Sequence, residues 1–247
     1  MARPTQNNGP DPALIFIHGG GWKSGGRGQF YDEIGDAAQD GYVAVTITHR
    51  LTEQTTADGQ VKYPWPAAIH DVKCSIRYLR ANASRFHLDP HKIGITGHSS
   101  GGHLALMAGL TDKSDSLEGP GGHQEVSSRV QAVVSMSGVT AMSTFYYVPD
   151  LTPYVERLMG GAPDQYPERY MEASPVHYVS SDDPPVMSIH GEDDETVPIA
   201  QPKALDRAFE AFPVSHRLVI LKNQSHVYEG EGRSGLNVCG GSFSIST

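Results

Sequence analysis

The chain has 247 residues, 38% of them hydrophobic, which suits one sizeable α/β or all-β core better than two small domains. Its formal net charge of -9 predicts an acidic, soluble surface and excludes the basic footprint that nucleic-acid binding requires. No apolar run approaches the roughly 18 residues of a membrane span, and the leading MARPTQNNGPDP lacks the apolar core of a secretory signal, so a cytoplasmic protein is expected.

Short apolar runs rich in β-branched residues recur along the chain, each ended by turn residues, with longer helical patterns between them. The first is ALIFIHGGG from Ala13, followed by a helical pattern beginning near Phe30. The second, YVAVTITHR from Tyr42, leads to the clearest helix, Pro66 to Ala83, in which Ile69, Val72, Ile76 and Leu79 keep helical spacing and Pro66 suits a first turn. The third, KIGITGHS from Lys92, runs into a helix that starts at Ser99 or Ser100. A Gly- and Ser-rich loop from Thr111 separates it from the fourth run, VQAVVSMSG from Val130. PVMSIHGED from Pro185, a helix after Pro198 and RLVILKNQSH from Arg217 complete the series. Because most of these runs are apolar on both faces, they read as buried strands of a doubly wound, mostly parallel α/β sheet, whose ligands bind at the carboxyl ends of the strands.

One excursion, residues 140–178, breaks the alternation. It carries Phe145, Tyr146, Tyr147, Tyr154, Tyr166 and Tyr170, and two uses are open to it: walling a substrate pocket above the strand ends, or packing as a small helical flap on its own aromatics. The chain otherwise reads as one domain, with an atypical tail over 229–247.

The motifs that bear chemistry lie at the ends of these runs. Gly97, Ser99 and Gly101 form Gly-x-Ser-x-Gly where a strand enters a tight turn and then a helix; the glycines let strand and helix approach while the serine is held strained and exposed. A frame on Ser100 fails, because position 98 is histidine rather than glycine, so Ser99 is the candidate nucleophile. HGGGW, His18 to Trp22, follows the first strand; its glycines leave N–H groups free to face a cavity, as stabilising a tetrahedral oxyanion requires. A phosphate-binding loop would need a Gly-Lys-Ser/Thr ending or Gly-x-Gly-x-x-Gly spacing, and neither is present.

A serine hydroxyl needs a histidine base, which in turn needs a carboxylate, and in this architecture both partners come from loops after late strands. HGEDDETVP offers Glu192, Asp193, Asp194 and Glu195, and NQSHVY offers His226, the last histidine of the chain. His98 is expected to point away from the turn, and His103 to sit in the helix behind the serine, both as packing or hydrogen-bonding residues. His190 belongs to a strand end, and Pro90 between His87 and His91 breaks the helix a metal pair would need. No metal and no cofactor is expected, and Cys74 and Cys239 read as bystander thiols.

HGGGW, GHSSGG, HGEDDETVP and a late histidine, in this order, resemble the α/β-hydrolase superfamily. More narrowly the chain is similar to esterases with an HGGGW motif, near the hormone-sensitive-lipase-like carboxylesterases and the BD-FAE-type acetyl and feruloyl esterases. The resemblance runs from about Ala13 to Tyr228 and implies an α/β-hydrolase fold and a serine-dependent carboxylic ester hydrolase. It implies Ser99 as nucleophile, the N–H groups of Gly20, Gly21 and Ser100 as oxyanion donors, Asp194 as the acid and His226 as the base. Trp22 is the candidate wall of the acyl or alcohol pocket, with structural packing as the alternative. Such an enzyme would act on a small-molecule ester of a short acyl, aryl or sugar kind. An arylformamidase of the kynurenine-formamidase kind would use the same constellation, and a catalytically inactive binder of this fold is the reading from outside enzymology. Two departures stand out: the usual strands ahead of HGGGW are missing, and the chain runs past His226 without helical periodicity. The strand near Tyr42 is then expected at the sheet edge, a surface that could support a homodimer.

Overall fold

A computed structural model describes residues 1–5 and 9–228. All six apolar runs are strands: β1 (Asp11–Ile17), β2 (Val43–Ile47), β3 (Leu88–His98), β4 (Ala132–Met136), β5 (Val186–Gly191) and β6 (His216–Leu221). They form one sheet in the order β2-β1-β3-β4-β5-β6, every neighbouring pair parallel. The helices are α1 (Tyr31–Gln39), α2 (Ala67–Ala81), α3 (Ala83–Phe86), α4 (Ser100–Leu110), α5 (Met142–Phe145), α6 (Thr152–Met159), α7 (Pro167–Glu172) and α8 (Ala200–Phe209).

The alternation of side chains along β1 divides the core. Ala13, Ile15 and Ile17 join a large apolar cluster with Val72 and Ile76 of α2 and Leu104 of α4, whereas Leu14 and Phe16 join a second cluster with Ile34 and Ala37 of α1. The sheet is therefore covered on both faces, as its doubly apolar strands require. α2 buries Ile69, Val72, Ile76 and Leu79 as their spacing predicts. It also buries two cations, Lys73 and Arg77, which both bind Glu118 in the loop after α4: Lys73 Nζ donates to Oε1 at 2.9 Å and Arg77 Nη1 to Oε2 at 2.5 Å. Lys73 further donates to the Thr111 carbonyl, and Arg77 to the carbonyls of Glu118 and Gly122, so the Gly-rich loop is fixed from within.

β3 starts at Leu88, four residues before the apolar run, because Leu88 pairs with Asp11 and a register shift then brings Ala13 opposite Ile93. β2 is the edge strand, as expected, but its outer side is met by Ala2, which exchanges two backbone hydrogen bonds with Ala44 at 2.8 and 3.0 Å. The excursion over 140–178 lies between β4 and β5 and holds α5, α6 and α7. No described helix is long and apolar enough to cross a membrane. Cys74 is half-buried, while Cys239 and the atypical tail lie outside the described residues.

Candidate active site

Topology locates the site before any side chain is considered. The chain leaves β1 to one side to build β2 and returns on the other side of β1 as β3. Loops following β1 and β3 therefore diverge across one crevice at the carboxyl edge, where open α/β sheets bind ligands. The first of these loops is HGGGW and the second is GHSSGG.

Ser99 joins β3 to α4 with φ 57° and ψ −122°, a strained left-handed conformation for a residue with a Cβ. A Cβ on Gly97 would overlap the Gly101 carbonyl, and one on Gly101 would overlap the Ile17 carbonyl, so the turn closes only because both positions are glycine. The Ser99 N–H donates to the Met136 carbonyl at 2.8 Å, fastening the turn to β4. Ser100 is the first residue of α4, so its N–H has no acceptor within the helix. Its hydroxyl is buried and meets no hydrogen-bond partner among the described residues.

Across the crevice Gly20, Gly21 and Trp22 all have positive φ, 115°, 60° and 57°. The Gly20 carbonyl accepts the N–H groups of Lys23 and Ser24 at 3.1 and 3.0 Å, and the Gly19 N–H donates to Oε1 of Gln29 at 2.8 Å. Beneath this loop the buried rings of His18 and His49 stack at 4.3 Å; burial and the neighbouring His18 push the His49 imidazole down to about 4.

The late-strand partners meet as their order predicts. His226 Nδ1 donates to Asp194 Oδ2 at 2.8 Å, and Asp194 Oδ1 accepts the N–H groups of Thr196 and Val197 at 3.0 and 2.8 Å. Of the four acids in this segment Asp194 alone is buried. Burial by itself would raise its carboxyl. The bonds from His226, the Val197 amide and Ser137, with the charge of His226, outweigh that and hold it below the ordinary carboxylate range. His190, at the end of β5 as expected, donates from Nε2 to the Val197 carbonyl at 2.7 Å and lies 3.4 Å from Asp194 Oδ2.

His98 departs from expectation. Rather than pointing away, it lines the same cavity as Ser99 and donates from Nε2 to the His226 carbonyl at 2.7 Å, with the two rings 4.8 Å apart. The reason is the course of the loop after β6, which crosses the ends of β5 and β4, where the Asp193 N–H donates to the Gln224 carbonyl and Tyr228 meets Ser137, and so reaches the last residue of β3. Tyr228, two residues beyond His226, secures the same loop by donating to the Ile189 carbonyl at 2.8 Å and meeting Ser137 Oγ at 2.9 Å. Gln29, Ser137 and Tyr228 were not singled out by sequence; of these only Tyr228, an aromatic beside the late histidine, leaves a local signal.

Ser99, His226 and the glycine loop line a cavity of about 330 Å³, closed by Val139, Phe145, Leu151, Tyr154 and Val197. The excursion both lines this cavity and packs on its own aromatics. Phe145 and Tyr154 wall the cavity, Tyr170 packs inside, Tyr146 donates to Glu156 at 2.8 Å, and Tyr147 and Tyr166 are exposed. Trp22 lines the cavity as well but is only 2% exposed, its indole turned inward. Among the described residues no cluster of His, Cys, Asp and Glu is suited to a metal.

Comparison with known proteins gives the arrangement its relatives. The chain is 34% identical over 197 residues to the probable carboxylic ester hydrolase LipM of Mycobacterium tuberculosis, covering 78% of this chain and 43% of that protein. It is 32% identical over 222 residues to the esterase LipQ of the same organism, covering 88% and 50%. The chain spans about half the length of these curated relatives. Among solved structures it resembles a truncated carbohydrate esterase from gut microbiota (TM-score 0.83, 27% identity, 96% of this chain and 87% of that one). It also resembles a propionate-bound thermophilic esterase of Thermogutta terrifontis (TM-score 0.76, 26% identity, 94% and 81%). Both matches carry the α/β-hydrolase fold, and the BD-FAE family model matches residues 1–209, from the N-terminus through α8; the chain belongs to the BD-FAE family.

Proposed function

We propose that the chain hydrolyses small carboxylic esters through an acyl-enzyme on Ser99. The observation that carries this reading is the Asp194–His226 hydrogen bond, whose imidazole shares a cavity with a serine held on a strained strand-to-helix turn. His226 takes the Ser99 proton as Oγ attacks the ester carbonyl, and Asp194 fixes the imidazole tautomer and stabilises its cation. The developing oxyanion is met by the N–H groups of Gly20, Gly21 and Ser100; losing one such donor raises the barrier by about 2.7–4 kcal/mol. The protonated His226 passes its proton to the leaving alkoxide, and water then attacks the acyl-enzyme with His226 as base.

A cavity of about 330 Å³ with an apolar wall suits a short acyl chain, near the lower limit of ordinary ligand pockets. The esterase names of the relatives and the carbohydrate-esterase neighbour support an ester substrate, acetyl or feruloyl esters of sugars included, and nothing observed favours the formamide or the ligand-binding alternative. A chain-length series of p-nitrophenyl esters, beside acetylated xylan and methyl ferulate, is expected to give highest kcat/KM for acyl groups of about two to four carbons. Ser99→Ala is expected to abolish turnover with the circular dichroism spectrum unchanged, and Ser100→Ala to retain most of it. Parent-level turnover in Ser99→Ala overturns the proposal.

A further inference from the structure

The last residue of each motif at the crevice takes no part in the acyl-transfer scheme: Trp22 closes HGGGW and His103 closes GHSSGGH. The fold brings them together. The Trp22 indole Nε1–H donates to His103 Nδ1 at 3.1 Å, with the rings edge to face at 5.2 Å. His103 Nε2–H donates to the Ala173 carbonyl at 2.8 Å. One ring nitrogen accepts and the other donates, so only the neutral Nε2–H tautomer makes both bonds. His103 is fully buried, and that burial pushes it down to about 4, which keeps it neutral.

These three attachment points belong to three separate parts of the site. Trp22 directly follows Gly20 and Gly21 and has a left-handed φ of 57° that a non-glycine residue does not adopt unaided. His103 lies one helical turn beyond the nucleophile and donates its own N–H to the Ser99 carbonyl at 3.0 Å. Ala173 caps α7 at the end of the excursion that supplies Phe145 and Tyr154, and its neighbour Glu172 accepts the Trp65 indole N–H at 2.6 Å.

We infer that Trp22 and His103 are a positioning pair: His103 holds the Trp22 indole so that the N–H groups of the glycine loop stay in register with Ser99, and ties that register to the excursion at Ala173. This rests on the ester-hydrolase reading above. Neither residue is placed in contact with the reacting atoms; they act through the backbone of Gly20, Gly21 and Ser99. The two bonds have different consequences. Losing the indole bond misaligns donors that matter most in the transition state, which lowers kcat, whereas losing the Ala173 bond loosens the substrate wall, which raises KM.

Amide side chains separate the two bonds. His103→Asn places an acceptor where Nδ1 stood and abandons Ala173; His103→Gln reaches Ala173 with an N–H and abandons the indole. On p-nitrophenyl acetate, His103→Gln and Trp22→Phe are each expected to lower kcat about tenfold with KM within about twofold. His103→Asn is expected to keep kcat within about threefold and raise KM about fivefold. The double variant Trp22→Phe/His103→Gln should fall no lower than either single one, since both remove the same bond. Folded Trp22→Phe and His103→Gln with parent kcat, or a multiplicative loss in the double, overturn the positioning role. Should the His103 variants fail to fold, Trp22→Phe and its rate of fluorophosphonate labelling at Ser99 decide alone, with a parent rate as the overturning result. A parent chain that neither turns over the ester nor is labelled overturns the hydrolase reading and this role together; an active parent with unaffected variants overturns this role only.

Discussion

On one side of the cavity, Ser99 stands on a turn bracketed by Gly97 and Gly101, where a single added carbon would strike the backbone of Gly101 or Ile17. On the other, Asp194 and His226 are held by hydrogen bonds: two amides on Asp194 Oδ1, His98 on the His226 carbonyl, and the Tyr228 hydroxyl on the Ile189 carbonyl. The Ser99 side thus rests chiefly on sterics of the main chain, whereas the Asp194–His226 side adds several separately removable bonds to one close approach, that of Gly191 to the Gln224 and Ser225 carbonyls. That difference sets how each side fails. Sterically fixed geometry gives way all at once and takes the fold with it, whereas hydrogen-bonded geometry loosens by degrees and affects rate first.

The sharpest way to break the contrast is Gly101→Ala. It is expected to destabilise by more than about 4 kcal/mol and to yield little folded protein, because the new Cβ meets the rigid Ile17 carbonyl. Soluble expression and thermal unfolding measure it, and a well-folded variant would remove the steric account. Asp194→Asn should leave the fold intact and lower kcat about ten-thousand-fold through the wrong imidazole tautomer, read by kinetics beside circular dichroism.

Acid should bear on both sides of the cavity through buried imidazoles, since burial and the neighbouring His226 push His98 down to about 4 as well. His49 and His103 stay neutral in the folded chain down to about 4, while unfolding lets them take up protons below their ordinary value of 6.5. The unfolded state binds more protons in that window, so stability falls as pH drops from about 6.5 to about 4, by on the order of 3 kcal/mol for each. Urea unfolding at pH 7 and pH 4.5 measures the slope, and His49→Gln should shrink it. The smallest effect is expected from Tyr228→Phe, about 1 kcal/mol of stability with a several-fold loss of kcat, as one anchor of the His226 loop goes and the His98 anchor remains.

Legibility in the sequence followed the same division. The six strands were readable because each is a compact apolar run and most are apolar on both faces, and the Ser99 turn because its glycines stand two positions away on either side. The start of β3 was not, since Asp89, Pro90 and His91 break the apolar run although the backbone is already paired. α5, α6 and α7, four to eight residues long, are too short to display a helical period. Asp194 could be chosen among four neighbouring acids only through resemblance; its burial is a tertiary fact. The contact of His98 with the His226 carbonyl spans 128 positions and that of Trp22 with His103 spans 81, and no local pattern encodes either. The burial of Lys73 and Arg77 on α2 depends on Glu118, 45 and 41 positions away, and no local pattern encodes that either.

The clasp of Lys73 and Arg77 on Glu118 also bears on how the chain tolerates being cut. A protease nick at the exposed Gln124–Glu125 stretch would sever the backbone between α4 and β4, yet the upstream fragment's Glu118 and Gly122 stay bound to α2, and the downstream fragment's Ser128 lies against the same Lys73 ammonium. The two pieces would therefore remain one folded body, which marks this loop as the place to splice a tag or open a new terminus without disturbing the crevice.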